Sequence, residues 1–168
     1  MFGIFETKLL RNLVYPIVNI KRKIQYHKNV IFNSQLKKDL NNNVAFHNQH
    51  KNQKCFIVGN GPSLKNQEIS FLKNEIVFTV NDIMKSHIYN SLNPSYHVFA
   101  DPDTFKKSYL DMLEKGILEA YNINPNVEYF IPHSAKSPFK NRFSNLKINY
   151  FYQGLNFTKK NKKIDLTK

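Results

Sequence analysis

Cys55-Phe56-Ile57-Val58-Gly59-Asn60-Gly61-Pro62-Ser63-Leu64 decides how the rest of the chain reads. Four apolar residues in a row are the pattern of a strand buried on both faces, as in a parallel sheet. Two glycines, a proline and a serine then mark a tight turn into a helix start. Gly59 and Gly61 allow backbone angles and close approach that a Cβ forbids, and Pro62 and Ser63 suit the first helical positions. The carboxyl end of a strand is where parallel α/β sheets hold their ligands. Backbone N–H groups freed by such a turn can meet phosphate. Asn60 adds an amide that can donate to a phosphate oxygen and accept from a ribose hydroxyl. The loop is neither Gly-x-x-x-x-Gly-Lys-Ser/Thr nor Gly-x-Gly-x-x-Gly, whose third glycine is Leu64 here. A plain joint between strand and helix is the alternative.

Outward from this loop, short β-rich runs recur: 75–80, 96–100, 127–131 and 148–152. Between the third and fourth strands, Phe105, Tyr109, Met112, Leu113, Ile117 and Ala120 form the apolar stripe of a helix. Strands alternating with helices predict an α/β fold in three layers, a Rossmann-like and mainly parallel sheet with flanking helices, spanning residues 54–158. Residues 33–53 are polar and aperiodic and read as a linker. Residues 159–168 read as a basic tail.

The first 32 residues place Leu9, Leu10, Leu13, Val14, Ile17, Val18, Ile20 and Ile24 at mostly helical spacing. Lys8, Arg11, Lys21, Arg22, Lys23 and Lys28 face only Glu6 there. This is a basic amphipathic helix, suited either to an anionic leaflet or to packing on protein. The whole chain carries +13. Its wealth of Asn, Ile, Phe and Tyr is the residue usage of A/T-rich genomes, so part of the lysine excess is background, and nucleic acid is not expected as a partner. The single Cys55 precludes an internal disulfide and reads as a small buried thiol. No apolar run reaches the ~20 residues that cross a bilayer, and the N-terminus lacks the order of a signal peptide. A cytoplasmic protein, peripheral on the inner face of the membrane, is the expectation.

The decapeptide above, Lys65, Phe71-Leu72-Lys73-Asn74, Val77-Phe78-Thr79-Val80-Asn81 and Phe99-Ala100-Asp101-Pro102 together resemble the opening of bacterial surface-polysaccharide proteins. The segment is similar to the sialyltransferases of glycosyltransferase family 42 and to the related 6-hydroxymethylpterin diphosphokinase MptE-like domain. The likeness covers roughly residues 54–102. It implies that Asn60 and Asn81, with Gly59, Gly61, Pro62 and Ser63, contact the cytidine monophosphate part of an activated sugar. Asn81 also suits an ordinary turn. The reaction implied is sugar transfer to a growing lipo-oligosaccharide or capsule, with a nucleotide-sugar donor, a glycan acceptor and no cofactor.

Asp101-Pro102-Asp103 fits two roles, a helix start or the Asp-x-Asp of metal-dependent transferases. His133 follows the fourth strand, with Ser134 and Lys136 beside it. His133 is a candidate base or a solvated loop residue, and Ser134 a candidate phosphate contact. The MptE-like alternative, pyrophosphate transfer to a pterin alcohol, requires Mg²⁺. A non-catalytic remnant that binds nucleotide feebly is the other. The related families continue into a Gly- and Ser-containing helix start, a glycine-marked strand and the segment with their catalytic histidine. The resemblance therefore implies a truncated, nucleotide-binding half that does not transfer sugar alone and is marginally stable or oligomeric. In a compact alternative, His133 supplies the base and dimerisation covers the open face.

Overall fold

The computed structural model describes residues 20–153 apart from Arg22, and for Pro102 and Asp103 the backbone only. The chain divides into two compact units, one reaching from the N-terminus to Lys37 with the residues from Gly154 onward, the other Lys38–Gln153. In the first unit, helix α1 occupies residues 23–32 and exposes Ile24, Ile31 and Phe32. The apolar stripe from Leu9 to Val18 and the basic tail lie outside the described residues. Helix α2, Ser34–Asn41, crosses from the first unit into the second.

The second unit is a five-stranded sheet, all parallel. Its strands are β1 (Cys55–Val58), β2 (Ile76–Val80), β3 (Tyr96–Val98), β4 (Glu128–Pro132) and β5 (Lys147–Phe151). They lie side by side in chain order. Helices α3 (Ile88–Leu92), α4 (Lys107–Ile123) and α5 (Lys136–Arg142), with several 3-10 turns, make the crossovers.

Chain order has a geometric consequence. Parallel crossovers are right-handed, so a sheet whose strands never reverse direction of addition places every crossover on one face. The core bears this out. Leu64, Leu72, Ile83, Tyr89, Leu113 and Ile117 from the crossovers pack in one cluster with Val58, Val77, Tyr129, Ile131 and Tyr150 from alternate strand positions. The opposite face carries Ile57, Phe78, Tyr96, Val98 and Phe130, and is covered only in part. There Phe46, from the 3-10 turn Asn42–Phe46, sets its ring against Tyr96 and Phe130 at 6.1 and 5.1 Å. The sheet unit is thus a Rossmann-like α/β arrangement with one complete helical layer, where three layers were expected.

Three further expectations change with this topology. β1 is an edge strand rather than one buried on both faces, and Ile57 is 78% exposed. Cys55, read as a buried thiol, is exposed on the same edge. Residues 33–53, read as a linker, are largely helical, with α2 followed by the turn Asn42–Phe46. Their attachments to the sheet unit include the ring of Phe46, His50 Nε2 with the Tyr96 hydroxyl at 2.5 Å, Asn43 Nδ2 donating to the Tyr150 carbonyl at 2.7 Å, and the buried Asp39. A polar average hides such isolated anchors.

α4 forms where its stripe requires it. Leu110, Leu113, Ile117 and Ala120 are buried at helical spacing. Met112, counted in the stripe from sequence, is 54% exposed, and Phe105 belongs to the preceding turn. In the sheet interior, His97 on β3 is fully buried with Nδ1 2.8 Å from Thr79 Oγ1. Burial pushes its pKa down to about 3.

Candidate functional site

The loop Gly59-Asn60-Gly61 leaves β1 at its carboxyl end and enters a 3-10 turn, Pro62–Asn66, with Pro62 at its start. Gly61 is extended, φ −83° and ψ 150°, as the residue before a proline prefers. Neither glycine has positive φ. A Cβ on Gly59 would meet Val80 Cγ2 at 3.7 Å, and one on Gly61 would meet Ser63 Oγ at 3.7 Å, both ordinary contacts. The glycine-only backbone angles that the sequence allows at Gly59 and Gly61 are therefore not adopted. A Cβ at either position would fit against its neighbours without displacing them.

Among the described residues the N–H groups of Asn60, Gly61 and Ser63 have no acceptor, and neither does the exposed Asn60 side chain have a partner. Beside them a cavity of about 610 Å³ runs along the free edge of β1, lined by Gly59, Gly61, Ser63, Ile57, Phe71 and Glu68. Glu68 is held below the usual carboxylate range by hydrogen bonds from Ser70, whose backbone N–H lies 2.8 Å from Oε1. The lining thus combines the loop residues Gly59, Gly61 and Ser63, the carboxylate-bearing Glu68 and the apolar Ile57 and Phe71.

Asn81 follows β2, one strand from the loop, and adopts φ 48°. Its Oδ1 accepts two backbone N–H groups, Ala100 at 2.8 Å and Asp101 at 3.2 Å. The turn role and the ligand role expected for Asn81 are compatible, since Nδ2 makes no hydrogen bond among the described residues. The Ala100 carbonyl in turn accepts from Gln153 Nε2 at 2.5 Å. Asp101 precedes the 3-10 turn Pro102–Phe105, and the Thr104 N–H donates to its carbonyl at 3.1 Å. Among the described residues no three His, Cys, Asp or Glu side chains gather as a cation-holding group.

His133 begins the turn after β4. It has a partner that sequence reasoning missed: Asp39 of α2, whose Oδ2 lies 3.1 Å from His133 Nε2 and also accepts from Lys136 Nζ. No sequence signal pairs residues 94 apart when one lies in an aperiodic stretch. Ser134 is exposed and makes no hydrogen bond among the described residues, so the structure leaves it outside this cluster.

The fold and the loop define a parallel α/β protein with a ligand-accessible carboxyl rim. Comparison of the chain with protein-family models, curated proteins and solved structures finds no match. Among the described residues no helix is long and apolar enough to cross a membrane.

Proposed function

We propose that the chain is the nucleotide-sugar-binding part of a surface-polysaccharide glycosyltransferase, sialyltransferase-like, using a cytidine-activated donor. The observation that carries this reading is the pair of glycines that neither backbone angle nor packing requires. Residues kept free of a Cβ beside three unspent amides and a cavity fit a phosphate approaching the backbone closely. The resemblance of residues 54–102 to family 42 supplies the base and the sugar class, and assigns Asn60 and Asn81 to the cytidine monophosphate. The exposed apolar and basic residues of α1 fit a protein working at the inner membrane face, where lipid-linked glycans grow.

Titration calorimetry of the full chain with CMP, against UMP, AMP and GMP and with and without Mg²⁺, tests the reading. Metal-independent binding of CMP is expected, weakened in Asn60→Ala by about 1–3 kcal/mol. Binding that requires Mg²⁺ and prefers a pterin would favour the diphosphokinase reading. No nucleotide binding at all would favour a remnant.

A further inference from the structure

We propose that the amino rim of the sheet carries a binding site for a neutral glycan, built from Asn93, Asn124, Asn126 and Glu128. The site is separate from the loop after β1 and does not depend on the donor reading above.

The site forms where two crossovers deliver the chain to neighbouring strands. α3 ends at Asn93 and leads into β3, while α4 ends at Asn124 and leads into β4. The two strands pair with Tyr96 beside Glu128. A cavity of about 470 Å³ lies at these two entries, lined by the three asparagines, Glu128, Tyr96 and His50. That size falls among the ~300–1,000 Å³ of small-molecule sites. β4, Glu128–Pro132, separates this rim from the carboxyl rim by roughly 13 Å at about 3.3 Å per residue. A ligand here is therefore not the one at the Gly59 loop.

Three of the polar side chains are held at one end and open at the other. Asn124 Nδ2 donates to Asn93 Oδ1 at 2.8 Å, and Asn93 Nδ2 keeps its hydrogens unspent among the described residues. Lys147 Nζ donates to Asn126 Oδ1 at 3.1 Å, and Asn126 Nδ2 is likewise unspent. Asn149 Nδ2 donates to Glu128 Oε2 at 2.7 Å, and Oε1 accepts nothing among the described residues. Asn93 is set by its φ of 44°, a left-handed backbone that asparagine tolerates. His50 spends both ring nitrogens, Nδ1 with Gln53 Oε1 at 2.8 Å and Nε2 with the Tyr96 hydroxyl at 2.5 Å. Two amide donors and a carboxylate acceptor thus face the cavity already positioned. Charge then selects the ligand. An anion would meet the Glu128 carboxylate while Lys147 is engaged with Asn126, and a metal ion would find a single carboxylate. A hydroxyl both accepts and donates, so neighbouring hydroxyls of a sugar can take a hydrogen from an amide and give one to Glu128. Each such bond replaces one to water, so the affinity is low.

The test titrates lactose, maltose and cellobiose, each beside its phosphorylated form, into the ¹⁵N-labelled full chain and follows the side-chain amide signals. At least one neutral sugar should bind with a Kd of about 1 mM and shift the amides of Asn93 and Asn126 while leaving that of Asn60 in place. Its phosphorylated form should bind at least about fivefold more weakly. Asn93→Asp and Asn126→Asp keep the acceptors used by Asn124 and Lys147 and remove the free donors, so each should weaken the neutral sugar about fivefold. Glu128→Gln should narrow the gap between the neutral and phosphorylated forms. If a variant fails to fold, the shift map of the parent decides. No shift with any of the three sugars, shifts centred on Asn60, aspartate variants that bind as the parent does, or an unchanged gap in Glu128→Gln would each overturn the proposal.

Discussion

Asn81 Oδ1 accepts the backbone N–H of Ala100 at 2.8 Å, so the residue that follows β2 also holds the segment that leaves β3. On the proposed reading the same side chain would turn its Nδ2 end, which makes no hydrogen bond among the described residues, to the nucleotide. Asn81→Ala removes the acceptor and places alanine at φ 48°, and should cost about 1–3 kcal/mol in urea unfolding. Asn81→Asp keeps the acceptor and tolerates the left-handed backbone but loses the Nδ2 donor. It should unfold near the parent midpoint while CMP binding falls. CMP affinity unchanged in Asn81→Asp would remove Asn81 from the site.

The parallel strands, the long helix and the loop position were legible from sequence because each is written in local patterns. Val77, Thr79 and their neighbours form a β-rich run between turn residues, and the stripe from Leu113 to Ala120 repeats at helical steps. Strand order was not legible. Cys55-Phe56-Ile57-Val58 has the composition of a central strand, yet its place at the edge follows from every later strand adding to the same side. The burial of Asp39 was equally hidden, because its partners His133 and Lys136 come from the far side of the sheet sequence.

His97 gives the fold a dependence on pH. Its ring is enclosed by Tyr89, Phe99 and Tyr129, with centroids at 5.6, 4.4 and 5.9 Å, and burial holds its pKa at about 3. The unfolded chain takes up a proton near pH 6.5 that the folded chain refuses. Stability from this group is therefore complete above pH 6.5 and is lost as pH falls toward 3, at about 1.4 kcal/mol per pH unit. Urea midpoints measured from pH 7 to pH 4 should fall more steeply for the parent than for His97→Gln. Parallel curves would show that His97 does not carry the dependence.

The surface of α1 combines exposed Ile24, Ile31 and Phe32 with exposed Lys21, Lys23 and Lys28 nearby. Co-sedimentation with phosphatidylglycerol vesicles should be strong at low salt and weak with neutral lipid. Reversal of the three lysines to glutamate should abolish it. Retention by the reversed variant would place the attraction elsewhere on the chain.

The most direct measurement concerns the two loop glycines. Because Gly61 lies at φ −83° and a Cβ at either position meets only ordinary contacts, Gly61→Ala should leave stability unchanged or raise it by about 0.4–1 kcal/mol, and Gly59→Ala should change it by less than about 1 kcal/mol. If the space is kept for a phosphate, CMP titrated into the same two variants should bind at least about tenfold more weakly than to the parent, a loss of about 1.4 kcal/mol. Folded glycine variants that bind CMP as tightly as the parent would contradict the assignment of the loop.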